Sequence, residues 1–324
     1  MAIDESFHGR KTRVKNDEVS GKRLLPAVAV LALAAAVYLI INLVLPGRLS
    51  GFSSSFVVQP ILWCSLVLGV LALRQVGRTR LGFSRSMLWI GLLMGAFHVA
   101  VILIAALLTG SGFGRSPYAH SLRYLSLNTV SFGTAVVGLE FSRAYLVNIF
   151  SWRHATIVLI LTALIYTCLM IPPTQLIHPT DSSFMGGVYL PLLAQNMLAS
   201  SLALLGGPVA SIAYWGILKA FEWYSPILPD IPWILNAFAG TLAAAIGLLV
   251  LQNIYKPGIE LVTGAEAEDK RKASSLSKWV IVGIASVVII FAAFGALGFR
   301  PMIVGSGSMR PALDVGDIVV VKAV

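Results

Sequence analysis

The chain has 324 residues, of which 57% are hydrophobic and 12% charged, with a mean hydropathy of +0.84. That balance excludes an ordinary soluble globular protein and makes the bilayer the solvent. The net charge of +10 does not indicate a nucleic-acid partner, because the Lys and Arg residues gather beside apolar runs, as orientation signals do. Cys64 and Cys168 fall inside apolar runs, where they are expected to pack as small hydrophobes and to form neither a disulfide framework nor a metal site.

A basic arm over about residues 1–23, with Arg10, Lys11, Arg13, Lys15, Lys22 and Arg23, precedes an apolar run from Leu24 to Leu45. The run is too long for a signal-peptide core and lacks a cleavage-like ending, so it reads as an uncleaved helix. Further apolar spans fall at about 56–73, 87–108, 122–139, 155–171, 188–206, 208–225, 231–252 and 279–297. The expectation is an α-helical polytopic membrane domain of about nine transmembrane helices, eight of them between residues 24 and 255.

The basic N-terminus, the Arg74 to Arg85 loop, the Arg143 and Arg153 loop and the Lys256 to Lys278 stretch alternate with connections poor in Lys and Arg. The positive-inside rule then places the N-terminus in the cytoplasm and the C-terminus outside the cell membrane. Gly206, Gly207 and Pro208 would make a tight cytoplasmic corner. The charged stretch at about 256–278 reads as a cytoplasmic linker, about 279–297 as an anchor helix, and about 298–324 as the start of an extracytoplasmic domain.

Ionisable residues within spans are functional candidates. Glu140 and Arg143, at an expected cytoplasmic helix end, are three apart, as are Lys219 and Glu222 beside Trp223 and Tyr224. Each pair can neutralise itself on one helix face. His98 lies in an apolar span, where a lone histidine is expected to bond to a neighbouring helix. His120, His154 and His178 have no zinc-protease spacing. The serine or paired-glutamate motifs of an intramembrane protease are not found within the spans.

After the anchor, residues 299–322 shift in character: a short apolar strand, the turn Gly305, Ser306, Gly307, Ser308, the connection Met309, Arg310, Pro311, Ala312, Leu313, and a β-branched strand after Gly316 and Asp317. The ordered series Ser-Gly-Ser-Met, Pro, Leu, Gly-Asp resembles the nucleophile box of type I signal peptidases. The resemblance covers about residues 300–322. It implies that Ser308 is the attacking serine and that Ser306 helps form the oxyanion hole. Met309 would pack beside the nucleophile near substrate, and Pro311, Leu313, Gly316 and Asp317 would shape the turn and the next strand. It further implies the first strands of a β-rich catalytic domain, no metal or organic cofactor, and signal-peptide-bearing precursors as partners, met at the bilayer with the protein-export machinery nearby.

A serine needs a base within hydrogen-bond reach, and the resemblance implies a Lys or a His that no residue after Ser308 supplies convincingly. Lys322 reads as the solvated end of a strand. The expectation is therefore a truncated, inactive form of a serine endopeptidase. The alternative is a multi-pass transporter or structural membrane protein whose box is vestigial.

Overall fold

The computed structural model describes residues 24–77, 81–108, 113–118, 121–176, 181–263, 299–303 and 318–322. The helices are α1 (Leu24–Val44), α2 (51–77), α3 (Arg85–Leu108), α4 (Leu122–Met170), α5 (Met185–Gly206), α6 (Pro208–Tyr224) and α7 (Trp233–Thr263). Short helical turns at Pro173–Leu176 and Ser182–Phe184 and two antiparallel ribbons complete the described structure. β1 (Phe113–Arg115) pairs with β2 (Ile227–Pro229), and β3 (Phe299–Ile303) pairs with β4 (Ile318–Lys322).

Although α4 is helical over 49 residues, it cannot be straight. The Ser142 Oγ and the Tyr166 hydroxyl share a hydrogen bond of 2.5 Å, whereas 24 residues of straight helix would separate them by about 36 Å. The axis therefore doubles back, giving a first arm with Glu140 and Arg143 and a second arm, Ala155–Met170. Consecutive helices then run alternately up and down.

One end of the bundle holds the corner between α5 and α6, where Gly207 adopts φ +72°. A Cβ there would lie 1.8 Å from the Gly82 carbonyl oxygen at the start of α3. The expected tight corner is thus present, and only glycine fits it. The opposite end holds the β1–β2 ribbon, the α1–α2 connection and the segment leading to α5. Between them, α3 and α6 approach closely because Gly91 and Gly95 face Ala210, Tyr214 and Ile217; a Cβ on Gly91 would stand 2.2 Å from the Ala210 carbonyl oxygen. Small residues spaced four apart are how helices pack when lipid tails supply no hydrophobic drive.

The bundle is apolar without and, within a largely hydrophobic core, buries a set of polar groups. Asn128, Ser131, Glu140, Ser142, Arg143, Thr167, Asn196, Ser200 and Ser211 are buried, while Leu25, Ile61, Leu68, Leu93, Leu107 and Leu161 are exposed. That is a membrane domain's arrangement, with lipid covering the apolar surface. Cys64 and Cys168 are free and exposed; contrary to the expected packing, they occupy outward faces of α2 and α4.

The described residues do not give nine spans. Five helices are long and apolar enough to cross a bilayer: Leu24–Val44, Gly51–Gln75, Arg85–Leu107, Met185–Gly206 and Trp233–Asn253. The first arm of α4 is weakened as a span by its polar and charged residues. The second arm is short, and α6 has 17 residues that include Lys219 and Glu222. The expected anchor at 279–297 lies outside the described residues, as do the basic arm at 1–23 and most of the linker. α7 runs to Thr263, so the first part of the expected linker is helical.

Among the described residues there is no β-rich catalytic domain either: the strands are short and form two separate two-stranded ribbons. The β3–β4 register runs from Phe299↔Lys322 to Ile303↔Ile318.

Candidate functional site

Two regions bear on function. In the first, β3 and β4 bring Ile303 and Ile318 opposite each other. Ser306, Ser308, Met309, Pro311, Leu313, Gly316 and Asp317 all belong to the 304–317 segment and lie outside the described residues. Lys322 is the last residue of β4 and pairs across the ladder with Phe299.

The second region is the polar interior of the helical domain. Glu140 and Arg143, one turn apart on the first arm of α4, are fully buried, with Arg143 Nε 2.9 Å from Glu140 Oε2. The pair neutralises itself as expected. It does not sit at a helix end, because α5 and the second arm of α4 close over it. Arg143 donates to the Asn196 carbonyl oxygen at 3.1 Å, to Asn196 Oδ1 at 2.6 Å and to Ser200 Oγ at 3.1 Å. Its guanidinium also lies 4.4 Å from the centre of the Tyr166 ring. Asn196 in turn donates to Thr167 Oγ1 at 3.1 Å. One cation thus ties α5 to both arms of α4 through planar, charge-assisted bonds that a lysine could not reproduce.

Glu140 is less well served. Among the described residues neither carboxylate oxygen accepts a hydrogen bond of ordinary geometry, which leaves the ion pair as its main compensation. Ser211 of α6 is the neighbouring hydroxyl, but it donates to the Pro208 carbonyl oxygen. The Trp215 indole N–H, also buried on α6, has no partner among the described residues either.

His98 of α3 is buried and bonded to two neighbouring helices. Its Nε2 lies 3.2 Å from the Gln195 amide nitrogen and its Nδ1 3.2 Å from the Tyr214 hydroxyl. An amide nitrogen only donates, so Nε2 accepts and Nδ1 carries the proton toward Tyr214. The expectation that His98 bonds across helices holds.

Lys219 and Glu222 form the expected pair at the end of α6, 2.5 Å apart and each more than one-third exposed. The Tyr118 hydroxyl donates to Glu222 Oε1 at 3.4 Å, and its ring stacks on Trp223 with centres 4.7 Å apart. Burial, then the Glu222 charge and its hydrogen bond, push the Tyr118 phenol above its usual range.

A cavity of about 630 Å³ joins these groups. Its lining includes Glu140 and Trp215 together with Gln195, Tyr118, Lys219 and Glu222. A neighbouring cavity of about 370 Å³ shares Gln195, Trp215, Lys219 and Glu222 and adds His98 and Asp230. Ile41, Gln59, Pro172 and Val188 also border the larger cavity. Ile41, Gln59 and Val188 lie near the ends of α1, α2 and α5, and Pro172 in the connection after α4, at the β1–β2 end of the bundle, so the cavity reaches that end. Three π-helical turns, Ile40–Val44, Ser54–Val58 and Met185–Tyr189, surround the opening. Such turns widen a helix locally and recur at functional sites.

Sequence patterns located Glu140, Arg143, His98, Lys219 and Glu222, but not that Glu140, Lys219 and Glu222 line one cavity while His98 lines its neighbour. Trp215, Asn196, Ser200 and Gln195 gave no sequence signal, since each resembles any other residue of a transmembrane interface. Compared with known proteins, this one matches no family model, no curated protein and no solved structure.

Proposed function

We propose that this is a membrane-embedded serine endopeptidase of the signal peptidase I type, removing signal peptides from exported precursors at the outer membrane face. Ser308 is the nucleophile, Ser306 contributes to the oxyanion hole, and Met309 packs beside them. The observation that supports this reading is the β3–β4 ladder, in which Ile303 and Ile318, the described residues on either side of the Gly/Ser stretch in sequence, pair with each other.

The reaction requires a base to take the Ser308 proton, attack of Oγ on the carbonyl carbon, and donors for the resulting oxyanion. The base is a Lys or His still to be assigned. Pulse-labelling of exported precursors in cells that depend on this protein tests the reading: Ser308→Ala should leave precursors uncleaved. Normal processing would exclude it.

A second reading is favoured by one observation, the charged and partly unsatisfied cavity inside the helical domain. An anchor needs no such cavity, whereas a transporter does. That reading predicts a function that survives Ser308→Ala and is lost when the cavity is blocked.

A further inference from the structure

We infer that the larger cavity of the helical domain holds a phospholipid with a zwitterionic ethanolamine headgroup, its phosphate at Lys219, its ammonium at Glu222 and a tail along the apolar walls. Lys219 and Glu222 line both cavities, and their side chains are 37% and 39% exposed, so a ligand reaches them. Neither is exhausted by its present partners. The Lys219 ammonium gives one N–H to Glu222 Oε2 at 2.5 Å and has others to offer. The Glu222 carboxylate has about four acceptor sites and receives from Lys219 and the Tyr118 hydroxyl. A pair of opposite charges held side by side matches a headgroup that also carries both signs. Asp230, in the lining of the smaller cavity, adds a second carboxylate against the single ammonium. That repels a purely anionic head and favours the ligand's amine on that side.

Position agrees with the charges. Lys219 and Glu222 fall in the last turns of α6, next to Trp223 and Tyr224 and under the stacked Tyr118 ring. Clustered Trp and Tyr mark the level of lipid headgroups. Deeper in the bundle the cavity is walled by Ile102, Phe132, Ala135, Val136 and Leu192. Its volume of about 630 Å³ is that of cavities which enclose organic ligands. A tail that leaves the bilayer for these walls exchanges one apolar surrounding for another and gains little. Selection therefore falls on the headgroup, where an ammonium with N–H donors bonds to Glu222 and a quaternary choline cannot.

The test places the intact chain in phosphatidylcholine nanodiscs that carry a trace of phosphatidylethanolamine with a photoreactive diazirine midway along one tail. Crosslinked residues are mapped by mass spectrometry. The label should fall on Ile102, Ala135 or Leu192. Its yield there should be about 10-fold that of the same probe with a choline head, the worth of one charge-assisted hydrogen bond. This comparison needs no protein variant. Glu222→Gln, which keeps the side-chain size and an acceptor for Lys219 and Tyr118, should erase the preference.

Equal cavity labelling by the two heads overturns the inference, as does a preference that survives Glu222→Gln. Labelling confined to the lipid-facing Leu93 and Leu161 overturns it in favour of ordinary bilayer contact. A phosphatidylglycerol probe that labels the cavity more strongly would make Lys219 an anion site instead. Displacement by free phosphoethanolamine at the probe's own concentration would show that the head alone is recognised, as a soluble solute. Because the readout is binding, it is independent of whether Ser308 proves catalytic.

Discussion

Replacing Arg143 by Met removes the charge that balances Glu140 while nearly conserving side-group length. The variant loses the 2.9 Å ion pair to Glu140, three hydrogen bonds to Asn196 and Ser200, and the stacking on Tyr166. Both members of the pair are fully buried, so the remaining carboxylate would be an uncompensated charge. Breaking a buried pair from one side costs about 3–5 kcal/mol. Adding Glu140→Gln should restore part of that loss, since a neutral amide no longer needs a counter-charge. What remains is Asn196 and Ser200 without their donor, worth about 1–3 kcal/mol. The double variant should therefore be more stable than Arg143→Met alone by about 2 kcal/mol. Reversible unfolding of the detergent-solubilised protein, followed by far-UV circular dichroism, measures both values. A single variant within about 0.5 kcal/mol of the parent, or a double variant less stable than the single, would refute the burial and pairing described for this site.

Gly91→Ala should cost about 1–3 kcal/mol through overpacking of the α3–α6 contact, and crosslinks between Cys pairs across that contact should report the separation; unchanged crosslinking would count against it. Gly207→Ala should cost at least about 1–2 kcal/mol from its left-handed backbone alone, with further loss from the clash with Gly82, and a neutral result would remove the corner as drawn. For Tyr118, a raised phenol pKa means that the folded protein holds the proton more tightly than the unfolded state does. This contribution is present below about pH 10 and is lost as pH rises through the folded value, so the parent should lose stability above pH 10 more steeply than Tyr118→Phe; parallel alkaline unfolding curves would contradict this. Ser306→Ala should slow precursor processing by about 10²- to 10³-fold, the effect of one lost oxyanion donor, and an unchanged rate would exclude Ser306 from that role.

Composition and span length made the helical membrane domain legible, and the Gly206, Gly207, Pro208 corner was readable because few other residues allow so abrupt a reversal. The ends of α4 were harder. Glu140 and Arg143 looked like a boundary because a charged pair usually marks a helix end at the membrane surface. Here Asn196, Ser200 and Tyr166 enclose the pair, and those partners are more than fifty residues away in sequence or come from the returning arm. No local pattern records such contacts. The cavity was illegible for the same reason: its lining is drawn from α1, α2, α4, α5, α6 and α7, which are far apart in sequence. The Ser306 to Asp317 series was read from its resemblance to a family motif in residue identity and order, and it lies outside the described residues. Of its flanking strands, β3 was foreseeable as a short apolar run and β4 from its β-branched composition, whereas their pairing register is a property of the fold.

The central claim is that Ser308 attacks the signal-peptide junction of precursors at the outer face. It is tested most directly by following one radiolabelled precursor in cells whose only signal-peptide-cleaving activity comes from this protein, with Ser308 intact or changed to Ala at matched membrane abundance. The mature form should appear within minutes with Ser308 and not at all with Ser308→Ala, while both proteins insert equally. Conversion of the precursor at the same rate in both strains would contradict the claim.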